Sequence, residues 1–320
     1  MARPDDFVPV AITSRSGLDE SVHFGAVVAL DRDGSVAYSA GNTGAVVYPR
    51  SANKPMQAVA MVRAGLRLPP HLLALVCASH DGTPLHTRAA LDILATAGLD
   101  ASALGNTPGM PLDDDAARDV VRAGGGPVPL TMNCSGKHSG MLATCALHGW
   151  PATDAEYLRI DHPLQLAITR VIDELADEPH DHIGIDGCGA PAHAFSLLGL
   201  ARSFRSIATG AGGDGCADVY AAMTGHPQMV GGEPRDVTVL MRHVPGLMAK
   251  DGADGVYAAA LPDGRAVALK IADGGDRARP PLMLAALGAL GVDVAAATPL
   301  LVQRLLGHGQ PVGEVRAVLP

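Results

Sequence analysis

The chain has 320 residues, of which 48% are hydrophobic, 18% are charged and only 3% are aromatic, and its formal net charge is −9. This composition allows a substantial core of Ala, Val, Leu and Ile, and the acidic balance without a basic cluster argues against a nucleic-acid partner. The N-terminal residues lack the pattern of a secretory signal, and no apolar run is long enough to span a membrane, so we expect no membrane association.

Five cysteines indicate the redox environment of the protein. An odd number of cysteines in a long chain without a secretory signal predicts free thiols or metal ligands in a reducing compartment, which favours a cytoplasmic protein. The five are Cys77, Cys134, Cys145, Cys188 and Cys216.

The first part of the chain predicts strands, and a long helical region follows them. Strands are predicted at 23–31, 35–39 and 45–48, with Asp33-Gly34 as the first turn. Pro55 lies in the first turn of the first predicted helix, where proline is tolerated. Helical patterns occur at 51–64, 71–78, 83–97, 116–123, 136–147 and 163–175.

Predicted strands return towards the C-terminal end of the chain. They occur at 183–185, 244–250, 256–261 and 265–271, before a last helix at 277–290, and the segment Pro-Asp-Gly at 262–264 predicts a hairpin turn. Strands at both ends with helices between them predict an α+β fold in which the terminal strands share one sheet. We expect a single catalytic unit, 1–320, with a sheet region at about 1–50 and 240–320 and a helical region at about 51–240.

Ser51 and Lys54 form a Ser-x-x-Lys pattern at the start of a predicted helix. This spacing places both side chains on one face of a helix. A serine hydroxyl becomes an effective nucleophile when a base takes its proton, and a lysine kept neutral by desolvation or by a second cation can be that base. The pattern is common by chance, and an N-cap serine beside a solvated lysine is the alternative interpretation.

Two further segments carry groups that suit the same chemistry. Ser79 follows the apolar end of a predicted helix and could supply a second hydroxyl. Lys250 ends a predicted strand just before Gly252, where an ammonium group could lie beside a serine and the glycine would let a ligand approach the backbone. A helix C-terminal turn and a surface turn are the respective alternatives.

Cys134 and Cys188 lie among small polar residues, in the segments NCSGKHSG and DGCG. Two thiolates presented beside glycines can converge on one metal ion. Buried core cysteine is the alternative, and it suits Cys145 and Cys77 because both follow apolar helical patterns.

Together these motifs resemble one family, the rhizobial-type, thermolabile L-asparaginases, also called asparaginase II. The resemblance extends from about residue 22 to residue 279 and rests on the ordered segments RSANKPMQ, CASHDGTPLH, NCSGKHSGML, DGCGAP, AKDGADGVYAAAL and ALKIADGGDRA. Because that family is similar in fold to serine β-lactamases and glutaminases, the resemblance implies a serine-β-lactamase-like α+β fold.

The resemblance also implies an activity, namely hydrolysis of the side-chain amide of L-asparagine through an acyl-enzyme. Ser51 would be the nucleophile and Lys54 its base. Ser79 and Lys250 would form a second Ser–Lys pair, with Lys270 as the alternative lysine. The family further implies a homodimer.

A zinc site and a substrate-binding set complete what the resemblance implies. The zinc ligands would be Cys134, Lys137 and Cys188, and zinc affinity should fall in acid because a lysine must be neutral to bind metal. The metal is expected to shape the substrate pocket rather than to activate water. Residues expected to bind the substrate are Arg50, His138, Asp186 and Gly252, with Asp186 suited to the α-ammonium group and His138 or Arg50 to the α-carboxylate.

Two segments depart from the family pattern. The family more often carries Ser-Gly-Glu after the histidine of the second motif, where this chain has Asp-Gly-Thr at 81–83, and a family His-Arg-Gly near the first strand is here His-Phe-Gly at 23–25. Either change could alter substrate affinity or specificity. The alternative functions are a glutaminase, a β-lactam-recognising serine hydrolase and a non-catalytic ligand-binding relative.

Overall fold

The computed structural model describes residues 3–319, whose strands form two sheets. The strands are β1 (Val8–Arg15), β2 (Leu18–Leu30), β3 (Val36–Ala40), β4 (Val46–Val47), β5 (His182–Ile185), β6 (Pro191–Ser196), β7 (Met248–Gly252), β8 (Val256–Ala260), β9 (Ala266–Ile271), β10 (Gln303–Gly307) and β11 (Gln310–Ala317).

The large sheet joins the two ends of the chain. Its strand order is β10-β11-β1-β2-β9-β8-β7, with β3 also paired to β2, and all neighbouring strands are antiparallel. Strand β1 pairs with β11 from Ala11 opposite Ala317 to Thr13 opposite Val315. The predicted α+β fold with one sheet formed by both terminal regions is therefore confirmed. A smaller sheet of order β4-β6-β5 lies within the otherwise helical part of the chain.

Helices occupy most of the chain between β4 and β7. They are α1 (Lys54–Arg63), α2 (Pro70–Val76), α3 (Pro84–Ala95), α4 (Asp114–Arg122), α5 (Ser135–His148), α6 (Pro163–Ala176), α7 (Leu197–Thr209), α8 (Cys216–Gly225), α9 (Pro227–Val230) and α10 (Asp236–His243), followed after β9 by α11 (Arg279–Ala289) and α12 (Thr298–Leu301). Short 3-10 helices are found at Pro4–Asp6, Arg50–Asn53, Ala101–Ala103 and Thr153–Leu158.

The segment around Ser51 corrects one expectation. Ser51 lies in the 3-10 helix Arg50–Asn53, and the α-helix begins only at Lys54. Pro55 has no N–H with which to bond the Ser51 carbonyl in the α-helical pattern, so the Lys54 N–H takes that carbonyl three residues back. The two side chains thus belong to consecutive helical segments rather than to one α-helix.

Small aliphatic side chains form the core, as the low aromatic content predicts. Helices α7 and α11 pack on β8 and β9 of the large sheet, and β7 and β8 are buried along their whole length. Both faces of this end of the sheet are therefore covered, and β7 brings its side chains into the interior beside the turn Arg50–Asn53. Within residues 3–319, no helix has the length and apolar character needed to cross a bilayer.

Candidate functional site

Lys54 is a buried cation with three polar partners. Its Nζ donates to the Ala78 carbonyl oxygen at 2.5 Å, to Ser79 Oγ at 3.1 Å and towards Cys134 Sγ at 3.2 Å, and the residue is 1% exposed. Lys54 is therefore no solvated surface lysine. The alternative interpretation of the Ser-x-x-Lys pattern, an N-cap serine beside a solvated lysine, is wrong. Ser51 beside it is half-buried, and among residues 3–319 its hydroxyl has no hydrogen-bond partner, so the structure shows no hydrogen bond between Ser51 and Lys54.

The loop that carries Ser79 is fixed by backbone hydrogen bonds on both sides. The Ser79 N–H donates to the Val230 carbonyl at 3.0 Å, and the His80 N–H donates to the Asn133 carbonyl at 3.2 Å. The His80 ring accepts from the Gly82 N–H at Nδ1, so its Nε2–H donates to Ser135 Oγ at 2.9 Å. Burial lowers the pKa of His80 well below its usual value, so this ring is a neutral structural element behind Ser79.

Lys250 projects from β7 and is fully buried. Its Nζ donates to the Asp251 carboxylate at 2.5 Å and to the Asp251 carbonyl oxygen at 2.6 Å. Burial lowers the pKa of Lys250 to about 8, and the nearby Lys54 charge acts in the same direction while Asp251 opposes it. This lysine can therefore exchange a proton close to neutral pH.

The contacts of these serines and lysines differ from the expected pairing of Ser51 with Lys54 and of Ser79 with Lys250. Ser79 contacts Lys54, whereas the side-chain partner of Lys250 is Asp251. Direct pairing of Ser79 with Lys250 stays a prediction. The alternative, Lys270, donates to the carbonyl oxygens of Asp254 and Ile271 at 2.7 and 2.5 Å. We call Ser51, Lys54, Ser79 and Lys250 the Ser–Lys centre.

Gly252 allows β7 to approach the turn that carries Ser51. A Cβ atom at this position would overlap the Pro49 carbonyl oxygen and lie 3.2 Å from the Ala52 nitrogen. Gly252 therefore sets the distance between the nucleophile turn and the Lys250 strand, and its direct contact with a substrate stays a prediction.

An ion-pair network lies next to this turn. Arg50, which has a positive φ of 52°, donates from Nε to Asp186 Oδ1 at 2.8 Å and also pairs with Asp254. Asp254 is exposed, whereas Arg50 and Asp186 are largely buried. The network offers one cationic group and two carboxylates within a few ångströms of each other, which suits recognition of a zwitterion.

Cys134, Lys137 and Cys188 also come together, and we call them the sulfur cluster. Lys137 Nζ lies 3.2 Å from Cys188 Sγ, and Cys134 and Cys188 pack in one small buried group with Ala190. A hydrogen bond from Cys134 and the charge of Lys137 lower the pKa of Cys188, and the two sulfurs hold the pKa of Lys137 above its ordinary value despite burial. Two sulfurs and an amine in a closed site are donors that zinc accepts.

His138 lies with the sulfur cluster rather than with Arg50. Its Nδ1 is 2.8 Å from the Tyr157 hydroxyl, its ring is fully buried beside Cys188, and residues 3–319 provide no hydrogen-bond partner for its Nε2 atom. Burial lowers the pKa of His138 to about 4. Over residues 3–319, the structure contains no set of three His, Cys, Asp or Glu side chains arranged to hold a metal, so the predicted ligand set depends on its lysine.

The remaining cysteines and the departures from the family pattern occupy structural positions. All five thiols are free and buried, and Cys77, Cys145 and Cys216 belong to the main core. His23 Nε2 is 2.9 Å from Thr13 Oγ1, which ties β2 to β1. Asp81 is buried and pairs with Arg235.

Sequence reasoning missed Arg235, Asp81 and Asp251, although one signal in the composition points to this region. The chain has only four lysines among 24 lysines and arginines, and these are Lys54, Lys137, Lys250 and Lys270. The first three are fully buried, and the fourth holds the turn that carries Asp254. Surface cations are arginines, so lysine is retained where a titratable amine is enclosed.

Comparisons with known proteins place the chain in a family. A family model described as L-asparaginase II matches residues 11–317. No curated protein sequence matches the chain. Among solved structures, the chain is similar to one described as "Probable glutaminase ybaS", with 16% identity over 85% of this chain and 87% of that one and a TM-score of 0.39. It is also similar to a β-lactamase from Mycobacterium bovis, with 14% identity over 83% and 94% of the two chains and a TM-score of 0.37.

These structural similarities are distant, whereas the family model spans nearly the whole chain and includes every residue of the Ser–Lys centre and the sulfur cluster. The expected family resemblance is therefore confirmed. The chain belongs to the L-asparaginase II family and is an amidohydrolase of that type.

Proposed function

We propose that this protein is an L-asparaginase, which hydrolyses the side-chain amide of L-asparagine to L-aspartate and ammonia through a Ser51 acyl-enzyme. The observation that carries the proposal is the enclosure of Lys54 and Lys250 within electrostatic reach of each other, with Lys54 hydrogen-bonded to Ser79 and adjoining the Ser51 turn. Two neighbouring buried amines disfavour double protonation, so one of them is available as a base.

The acylation step begins with attack on the substrate amide. Ser51 Oγ forms a bond to the side-chain amide carbon while its proton passes to uncharged Lys54. The carbon–nitrogen bond then breaks, and the nitrogen leaves as ammonia after receiving a proton through Ser79, to which Lys54 donates. This route makes Ser79 a relay between the base and the leaving group.

Deacylation reverses the same proton movements. Water attacks the aspartyl ester carbon as Lys54 accepts a proton from it, and the bond from that carbon to Ser51 Oγ breaks as the oxygen regains a proton. Aspartate is released and Ser51 is restored. Lys250, whose pKa lies near 8, supplies a second positive charge next to Lys54 below that pH.

The Arg50 network supports an amino-acid substrate. Arg50 and Asp186 pair with each other at 2.8 Å, so a substrate α-carboxylate and α-ammonium can replace this contact with one charge on each residue. His138 is enclosed beside Cys188 with its Nδ1 on the Tyr157 hydroxyl, whereas Arg50 directly precedes Ser51. We therefore assign α-carboxylate binding to Arg50 rather than to His138.

An ammonia-release assay tests the proposed function. We expect turnover of asparagine and none of a chromogenic β-lactam. We also expect weaker turnover of glutamine, because its one extra methylene changes binding by only about 1–3 kcal/mol. Glutamine turned over faster than asparagine would replace the asparaginase by a glutaminase. Tight binding of asparagine without any ammonia would favour the non-catalytic relative.

Zinc is part of this proposal, with Cys134, Lys137 and Cys188 as the residues that would hold it. Bound zinc would act as a structural centre that fixes the Asp186 loop next to Arg50, and we assign catalysis to the Ser–Lys centre. The unpartnered Nε2 atom of buried His138 is a nearby polar atom that an ion would satisfy. Cytoplasmic location and a homodimer stay predictions.

Metal analysis of purified protein checks the zinc site without relying on activity. We expect about one zinc per chain in the wild type and none in Cys188→Ala, with metal released as the pH falls because Lys137 must be neutral to bind. Cys145→Ala removes a buried core thiol outside the cluster and should retain the metal. Full zinc occupancy in Cys188→Ala would exclude this ligand set.

A further inference from the structure

Arg235 joins two buried carboxylates that each adjoin the Ser–Lys centre. Its NH1 group lies 3.1 Å from Asp81 Oδ1, and its NH2 group lies 2.6 Å from Asp251 Oδ2. The Asp81 and Asp251 side chains are 3% and 5% exposed, so the guanidinium pairs with two carboxylates that have almost no access to water. Asp81 is two residues from Ser79, and Asp251 follows Lys250.

Asp251 divides its two oxygens between two cations. Oδ1 accepts from Lys250 at 2.5 Å, whereas Oδ2 accepts from Arg235. Three successive ion pairs thus connect Asp81 to Arg235, Arg235 to Asp251, and Asp251 to Lys250. A fork-shaped guanidinium can hold two carboxylates in fixed directions, which a lysine cannot do.

We propose that Arg235 is a positioning residue of the amidohydrolase, which clamps the Ser79 loop to the Lys250 strand and shares Asp251 with Lys250. The inference rests on the proposed function, because it assigns a role to the second half of the Ser–Lys centre. Arg235 itself touches neither serine, so it acts through the two carboxylates.

The loop before Arg235 is built around this contact. Gly232 has a φ of 129°, and a Cβ atom there would overlap the Asp81 carboxylate. Asp81, Gly232 and Arg235 thus form one clamp.

The charges around Lys250 determine how the clamp influences its titration. Asp251 favours the ammonium form, whereas Lys54 and Arg235 oppose it, and the buried Cys77 thiol also lies nearby. Behind Asp251 lie Asp236, Arg279 and Tyr257, of which Arg279 and Asp236 partly balance each other. Removal of the Arg235 charge leaves Asp251 with one fewer cation, so the pKa of Lys250 should rise.

Four variants of the full-length protein test the clamp. Arg235→Gln removes the charge, Arg235→Lys keeps a charge without the fork, and Asp81→Asn keeps the shape of the carboxylate without its charge. The control is Arg242→Gln, near the end of the helix α10 that follows Arg235, since Arg242 pairs with exposed Glu233. For each variant we would measure kcat and KM for asparagine against pH and the melting temperature. NMR of ¹³Cε-labelled lysine would follow the titration of the four lysines, and the signal that is lost in Lys250→Arg identifies Lys250.

In Arg235→Gln we expect kcat to fall about 10- to 100-fold, as small displacements of reacting groups do, with little change in KM. The Lys250 signal should move to higher pH. The alkaline limb of the rate profile should move with it, because Lys250 serves the proposed mechanism as a cation. Arg235→Lys should restore the titration of Lys250 but not kcat. Asp81→Asn should lower kcat with a smaller change in the Lys250 titration. Arg242→Gln should match the wild type in both measurements.

Two results would overturn the inference. One is a folded Arg235→Gln protein with wild-type kcat and an unmoved Lys250 titration. If that variant does not fold, an Asp81→Asn protein with wild-type kcat would have the same meaning. A wild-type protein that releases no ammonia from asparagine or glutamine would instead remove the proposed function, and the lysine titration would still show whether Arg235 controls Lys250.

Discussion

Replacing Ser51 by alanine is expected to abolish ammonia release, lowering kcat by about 1,000-fold or more, because alanine offers no oxygen for the ester intermediate. The fold should be little affected. The Ser51 hydroxyl is half-buried and has no hydrogen-bond partner among residues 3–319, so the free energy of unfolding should change by no more than about 0.5 kcal/mol. Steady-state ammonia release and thermal unfolding measure the two effects.

The matched control for this substitution is Ser21→Ala, since Ser21 is exposed on β2 and far from the site in the sheet register. It should retain wild-type turnover. Mass spectrometry of the wild type quenched during turnover should show the aspartyl adduct on the peptide that contains Ser51. Turnover of Ser51→Ala within tenfold of the wild type would remove this residue as nucleophile and make Ser79 the next candidate.

Lys54→Met is expected to lower kcat by about 100- to 10,000-fold, the range that a general base contributes. Methionine fills similar space, but the Ala78 carbonyl, Ser79 hydroxyl and Cys134 thiol lose their common partner. We therefore expect a loss of about 1–3 kcal/mol in the free energy of unfolding, measured by denaturant titration.

A second substitution separates the base from a simple positive charge. Lys54→Arg keeps the charge but cannot give up its proton near neutral pH, so it should be as inactive as Lys54→Met. Arg67→Met is the control, because Arg67 also donates to backbone carbonyls near the end of α1 without touching the site. Substantial turnover by Lys54→Arg would show that the residue acts electrostatically and does not accept the Ser51 proton.

The strand and helix predictions were most successful where the chain carries strong local signals. The turn Asp33-Gly34 and the segment 262–264 marked hairpins that the structure contains. The prediction missed β1, although Val8, Val10 and Ile12 alternate along it, and it missed the hairpin β10–β11 around Gly309. Strands β1 and β11 pair with each other across most of the chain length, and this pairing, which local patterns do not encode, joins the hairpins β1–β2 and β10–β11.

Helices α7 and α8 were missed for a related reason. The N-cap of α7 is formed by the Ser196 side chain, which accepts from the Gly199 N–H, and its end is formed by Gly210 in the left-handed region. Both signals are visible in the sequence but are also typical of a loop. Packing of α7 on β8 and β9 decides between the two.

The sequence by itself determined the family and the α+β order of elements, and it predicted a set of candidate site residues, because each motif is a short run whose residues stay neighbours in the fold. Only the tertiary structure decided which of these residues meet. Lys54 bonds Ser79 across 25 positions, and Arg235 bonds Asp81 across 154. Such contacts depend on how buried charges from distant segments are neutralised together, and that balance exists only once the core has excluded water.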